Sequence, residues 1–147
     1  MAAEDCLFCK IVTGKERSWI VYRDRYIMAI LDPFPITEGH TLVIPIRHYE
    51  SMFDIPYPLL RRIITRAKRL CMTYERTLRI QGVSIDVLNH RFKTLAYSHF
   101  HLHVIPRYNK NEKRDPANVK PSQTFPRESD AKLDRILDVI RRTESRS

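Results

Sequence analysis

The chain has 147 residues, 43% of them hydrophobic and 29% charged, with a formal net charge of +9. That length suits one domain with a substantial core, and apolar runs such as "YIMAIL" and "TLVIPI" are far too short to cross a bilayer. The start, "MAAEDCLF", lacks the basic-then-apolar order of a secretory leader, so the expectation is a cytoplasmic protein whose excess charge suits anionic partners such as nucleotides or nucleic acids.

Cys6 and Cys9 come first, in a C-x-x-C, "CLFC". Two strand-like runs follow, "WIVYRD" and "YIMAILD", rich in Ile, Val and Tyr and parted by charged turn residues. "PFPITEGH" is a loop marked by Pro and Gly, and "TLVIPI" is a third strand. Residues 59–79 read as a helix, because Leu60, Ile63, Ile64, Ala67, Leu70, Cys71, Tyr74 and Leu78 recur at three- and four-residue steps. Cys71 belongs to that apolar stripe and reads as core. The same stretch carries Arg61, Arg62, Arg66, Lys68, Arg69, Arg76 and Arg79 against a single acid, Glu75. A nucleic-acid groove would interleave aromatics with those charges, yet only Tyr74 does, so a solvated helix face is the better reading. "VSIDVL" and "HFHLHVIP" are two further strands, joined by "NHRFKTLAYS". From Asn109 to Asp130 the chain is polar and broken by Pro116, Pro121 and Pro126, as an extended arm would be. A short helix closes it, with Ser129 or Asp130 as N-cap and an apolar stripe of Leu133, Ile136, Leu137 and Ile140 that must dock on the domain or on a second subunit. The fold class is therefore α+β: a mainly antiparallel five-stranded sheet with a long helix across one face, followed by a C-terminal arm and a short helix.

The strand "HFHLHVIP" carries the chemistry. Side chains alternate across a strand, so His99, His101 and His103 share one face, spaced about 6.5 Å apart, while Phe100, Leu102 and Val104 share the other. Three histidines in register make a poor core, because each desolvated ring needs a hydrogen-bond partner. Two uses fit the pattern. Imidazoles two residues apart can ligate zinc, or one of them can attack phosphorus as a neutral nucleophile and leave a labile phosphorylated nitrogen that water can cleave.

The run "HFHLHV" followed by "IPR" resembles the signature of the histidine triad (HIT) family, His-x-His-x-His with apolar residues between. "CLFCKIVTGK" and "AILDPFPITEGHTLVIPIRH" resemble the start and centre of its bacterial and archaeal members. The resemblance spans residues 1–108 and leaves 109–147 as a C-terminal extension. It implies a hydrolase or nucleotidyltransferase, of the phosphoramidase or dinucleoside polyphosphate hydrolase kind, that attacks the α-phosphate of purine nucleotide conjugates through a nucleotidyl-histidine intermediate. On that pattern His101 falls on the nucleophile, His103 on the phosphate-binding position and His40 on the histidine that buttresses the triad. Asp32 falls on the acceptor for the ribose hydroxyls, though alone it would pass for a turn residue before Pro33. Phe8, Ile11 and Ile30 are then walls of the purine slot, and Asn89 lies on the phosphate loop. Short members of the family bind zinc through positions that here are Cys6, Cys9, His48 and His99; a redox-active C-x-x-C is the rival, and the surrounding fold does not suit it. A homodimer is implied by the resemblance alone.

One segment departs from the family. Where members carry Asn-Asn-Gly and then Gly-Gln upstream of the triad, this chain has Leu88, Asn89 and His90, then Thr94 and Leu95, with Ala96 where a hydroxyl is sometimes found. Leu95 has no side-chain donor, and losing one transition-state donor costs about 2.7–4 kcal/mol. His90, Arg91 and Lys93 offer positive charge in exchange. Three functions follow from this: an active nucleotide hydrolase or transferase, a nucleotide-binding sensor with weak or no catalysis, and an enzyme of adenylylated nucleic-acid ends docked through the basic helix. The last would bind nucleic acid with a steep salt dependence.

Overall fold

The computed structural model describes residues 5–87, 99–109 and 125–146. Within them a five-stranded antiparallel sheet runs in the order β1-β2-β3-β5-β4. Its strands are β1 (Trp19–Arg23), β2 (Ile27–Leu31), β3 (Thr41–Pro45), β4 (Gly82–Asp86) and β5 (Leu102–Arg107). Three helices accompany it: α1 (Leu7–Val12), α2 (Tyr57–Thr77) and α3 (Asp130–Glu144). Among these, no helix is long and apolar enough to cross a membrane.

Strand alternation sorts the central residues between two cores. Ile27, Ala29, Leu31, Val43, Leu102 and Val104 face α2 and α3, joining Ile63, Ala67, Leu70 and Tyr74. Their neighbours Met28, Ile30, Leu42 and Ile44 face the other way, onto Cys6, Phe8 and Ile11 around α1. Every residue of β2 and β3 is buried, as expected for strands covered on both sides. The histidines lie on the α1 side.

The sequence places the long helix at 59–79; it starts two residues earlier, with Pro58 in its first turn, where a missing N–H costs nothing. It stops at Leu78, and Arg79 follows with φ 51°, a left-handed C-terminal turn. The basic face is mostly solvent-exposed, as expected, but Arg66 is buried, stacked 3.4 Å from the Tyr22 ring and paired with Glu144 at 3.1 Å. Of the two candidate caps of α3, Ser129 takes the role and accepts from the Lys132 N–H. Leu133, Ile136, Leu137 and Ile140 are all buried in the α2-side core. Each such side chain gains roughly 1.5–3 kcal/mol over exposure, so the stripe docks on its own sheet and long helix. Two polar clamps add to it: Trp19 Nε1–H donates to Asp134 at 2.9 Å, and the Arg141 guanidinium donates to the Ile20 carbonyl at 2.6 and 3.0 Å, beside the bulge of β1.

Candidate active site and metal centre

Strand β5 starts only at Leu102, so His99 and His101 precede its ladder and His103 alone belongs to it. The alternation survives because Phe100 N–H donates to the Tyr49 carbonyl at 2.6 Å, which keeps the approach extended. Phe100 points into the α2-side core. His101 and His103 line a cavity of about 380 Å³ on the opposite face, with Phe8, Ile11, Ile30, Leu42 and Asp32. His99 turns the other way along that face, towards the N-terminal cysteines.

The backbone fixes each ring's tautomer differently. His101 Nδ1 lies 2.8 Å from the His99 carbonyl, which can only accept, so Nδ1 carries the proton and Nε2 keeps its lone pair. Burial lowers the pKa of His101, so the neutral form prevails. His99 is set in the reverse sense: Nε2–H donates to the Pro45 carbonyl at 2.9 Å, leaving Nδ1 bare.

The third ring is set by a relay. Ile36 N–H donates to His40 Nδ1 at 3.1 Å, so His40 must carry its proton on Nε2. That Nε2–H faces His103 Nδ1 at 2.9 Å, which makes His103 the acceptor there and puts its own proton on Nε2. His40 is 2% exposed. Burial first, and then the neighbouring His103, hold its pKa down at about 3, so the relay is neutral. Gly39, just before His40, has φ +85°, and a Cβ there would meet Leu78 Cδ1 at 2.7 Å and Pro106 Cγ at 3.3 Å. His101 thus presents a lone pair and His103 a donor, on rings whose centroids are 5.0 Å apart.

Asp32 closes the last turn of this arrangement. Its Oδ1 accepts from Phe34 N–H at 2.9 Å, and its Oδ2 lies 3.8 Å from His40 Nδ1. Burial raises its pKa to about 6. Asp32, His40 and His103 are close enough to suggest a cation site, but the facing imidazole nitrogens are already engaged with Ile36 and with each other. This group is a hydrogen-bonded relay.

Cys6, Cys9, His48 and His99 form a second cluster, with one ligand atom of each lying within 4.8 Å of the others. Sulfur-to-nitrogen edges measure 3.5 Å for Cys6–His99, 3.6 Å for Cys9–His99 and 3.3 Å for Cys9–His48, all to Nδ1. A tetrahedral centre with ordinary zinc–sulfur and zinc–nitrogen bonds has edges of about 3.6 Å. The donor set fits a metal on chemistry as well as size, since His99 Nδ1 is bare and its other nitrogen is anchored to a carbonyl. Cys9 N–H also donates to Cys6 Sγ at 3.4 Å, so the first turn of α1 organises the sulfurs. Without a cation the pair is costly to ionise: burial and the Cys6 sulfur push the Cys9 thiol up to about 11.

The structure thus brings together Cys6, Cys9, His48 and His99 at one site and His40, Asp32, His101, His103, Phe8, Ile11 and Ile30 at the other. Asn89 lies outside the described residues, as do Leu88, His90, Thr94 and Leu95. The cavity also has walls that sequence reasoning missed, among them Trp19, Phe34 and Phe125. Phe34, next to Asp32 in "DPFP", could have been inferred from its neighbour; Phe125 sits in an aperiodic polar stretch and gave no signal.

Over most of its length the chain is similar to known proteins. The HIT domain profile matches residues 13–110. An HIT-like protein of Methanocaldococcus jannaschii is 37% identical over 103 residues, covering 70% of this chain and 79% of that one. A Zn-bound histidine triad family protein from Mycobacterium smegmatis superposes with a TM-score of 0.77 at 26% identity, over 99% of this chain and 100% of the other. A hypothetical histidine triad nucleotide-binding protein from Sulfolobus tokodaii gives a TM-score of 0.80 at 25% identity, over 96% and 93% of the two chains.

Proposed function

Because this chain belongs to the HIT family, we propose that it hydrolyses or transfers purine nucleotide conjugates at the α-phosphate, with His101 as nucleophile. The observation that carries this reading is the pair of opposed tautomers in one cavity: a bare His101 Nε2 beside a protonated His103 Nε2. The His101 lone pair attacks the α-phosphorus, a P–N bond forms, and the bond to the leaving group breaks with its electron pair departing on that group. The Nδ1–H held by the His99 carbonyl stabilises the positive charge that the ring gains. His103 donates to a non-bridging phosphate oxygen as charge builds there. Water then attacks the same phosphorus and loses a proton to solvent, the P–N bond breaks with its electron pair returning to His101 Nε2, and the nucleoside monophosphate leaves. Asp32 receives the ribose hydroxyls, and Phe8, Ile11 and Ile30 flank the base. Asn89 is proposed for the phosphate loop.

In the second cluster, Cys6, Cys9, His48 and His99 would hold zinc. The ion would tie the N-terminal turn to the end of β3 and to the segment entering β5, a structural cross-link. With Nδ1 committed there, His99 is no proton donor to the leaving group. A homodimer is also proposed. Strand β4 is an edge strand with Ile85 half exposed, and α2 shows Tyr57, Ile64 and Met72 to solvent, a surface suited to a second copy.

The specific observation favouring a non-catalytic reading is Leu95 in place of the family's amide donor. One experiment separates the two. Rapid acid-free quenching of protein mixed with an adenylyl-labelled phosphoramidate should trap an acid-labile nucleotide adduct on the wild type and none on His101→Ala. AMP binding without any adduct or turnover would establish the sensor reading instead.

A further inference from the structure

Beyond the triad, the cavity has a wall that comes from the C-terminal part of the chain. Phe125 lines it, as Trp19 and Phe34 do. The segment that carries Phe125 is fastened to the site at three points. Glu128 N–H donates to the Pro33 carbonyl at 2.8 Å, which joins it to the loop holding Asp32 and Phe34. Asp130 accepts from Arg17 at 2.7 Å, and Asp134 accepts the indole N–H of Trp19 at 2.9 Å. Arg17 in turn lies 4.8 Å from the centre of the Trp19 ring. Residues 125–129, just ahead of α3, are therefore tied to the cavity wall.

We propose that Phe125 is a base-binding wall of the nucleotide slot, and that the C-terminal segment thereby sets nucleoside affinity. This rests on the nucleotide reading above. Ribose and phosphate need donors and acceptors, and a phenyl ring has none to give them. A planar base gains from an aromatic surface whatever its edge carries. Trp19 and Phe34, aromatic too, line the same cavity, which is thus suited to a flat heterocycle. The hydrogen bond from Glu128 to Pro33 then couples base and sugar recognition, because it orders the loop from which Asp32 projects.

The test is calorimetric titration of AMP and of ribose 5-phosphate into wild type, Phe125→Ala and Phe125→Tyr. Removing a stacked aromatic weakens base binding by roughly five- to a hundredfold. Phe125→Ala should therefore lose about tenfold or more in AMP affinity, keep its ribose 5-phosphate affinity, and be rescued by Phe125→Tyr. Quenching of Trp19, the chain's single tryptophan, gives an independent signal for AMP. Unchanged AMP affinity in Phe125→Ala would overturn the inference, and so would equal losses for both ligands, which would mark the ring as structural. A wild type that binds ribose 5-phosphate but gains nothing from the base would also overturn it, while leaving the phosphate chemistry standing. If the wild type binds neither ligand, the nucleotide reading itself fails and takes this one with it.

Discussion

His99 and His101 stand two residues apart on one face, and they are prepared for opposite tasks. At His99 the Pro45 carbonyl claims Nε2–H and frees Nδ1 towards two sulfurs. At His101 the His99 carbonyl claims Nδ1–H and frees Nε2 towards the cavity. The side chain is the same in both places, and so is its ordinary pKa. What differs is which nitrogen a backbone acceptor has taken, and whether the remaining lone pair meets two cysteine sulfurs or the cavity. A run of histidines is thus read by its hydrogen-bond partners, one ring at a time.

The two halves should therefore break separately. The largest expected effect is in His101→Ala, where turnover of an adenylyl phosphoramidate should fall at least about a thousandfold, since no other bare imidazole nitrogen faces the cavity among the described residues. Its metal content, measured by elemental analysis, should equal that of the wild type. Cys6→Ser/Cys9→Ser should do the reverse. Metal is lost, and thermal unfolding shifts down by an amount corresponding to several kcal/mol, as when a structural cross-link is removed. Molecules that remain folded at low temperature should retain the nucleotide adduct. Equal metal in the double variant and the wild type would refute the centre.

Much of this architecture is legible in the sequence because the strands have a clear period. "YIMAIL" and "TLVIPI" give β2 and β3, and the Leu60-to-Leu78 stripe gives α2 to within two residues. The family motif locates residues that the fold then gathers from distant positions, such as Cys6 with His99. Three features were hidden for physical reasons. Helix α1 is only six residues, too short to show a helical period and organised by sulfur contacts. The tautomer of His103 depends on Ile36, a backbone group two links away through His40. Phe125 reaches the cavity because α3 docks on α2 and β1, a tertiary event to which the residues around it contribute no pattern.

The relay offers a sharper cut than either deletion. His40→Leu removes the donor to His103 Nδ1 and leaves the buried Ile36 N–H without an acceptor, at a cost of about 1–3 kcal/mol in stability. With that donor gone, His103 Nδ1 is no longer held as an acceptor. Long-range nitrogen–proton NMR should show its Nε2–H tautomer in the wild type and a shift towards Nδ1–H in the variant. Turnover should drop roughly a hundredfold, the loss of one donor to the developing charge, while metal content stays constant. An unchanged His103 tautomer in a folded variant would mean that His40 does not set it.

The smallest effect separates recognition from chemistry by pH. Burial puts the pKa of Asp32 at about 6, above the ordinary aspartate range. Above that pH the carboxylate can accept both ribose hydroxyls; below it one oxygen carries a proton and the acceptor capacity falls. Affinity for adenosine, which has no phosphate to titrate in this range, should therefore rise as pH increases through 6, by about tenfold for a hydrogen bond regained by a charged acceptor, and Asp32→Asn should bind it weakly with no such rise. The stability sign runs opposite to that of a paired carboxylate. A raised folded pKa means the native state holds its proton longer than the unfolded chain, so this group lowers stability as pH climbs from about 4 towards 6. His40, with its pKa held at about 3, pulls the other way: the unfolded ring takes a proton below about 6.5 while the native ring stays neutral, so its contribution to stability increases over the same climb. Comparing unfolding of wild type and Asp32→Asn between pH 4 and 7 isolates the Asp32 part. The variant should become relatively more stable as pH rises, and a constant difference between the two proteins across that range would mean that Asp32 ionises in the native state as it does in the unfolded chain.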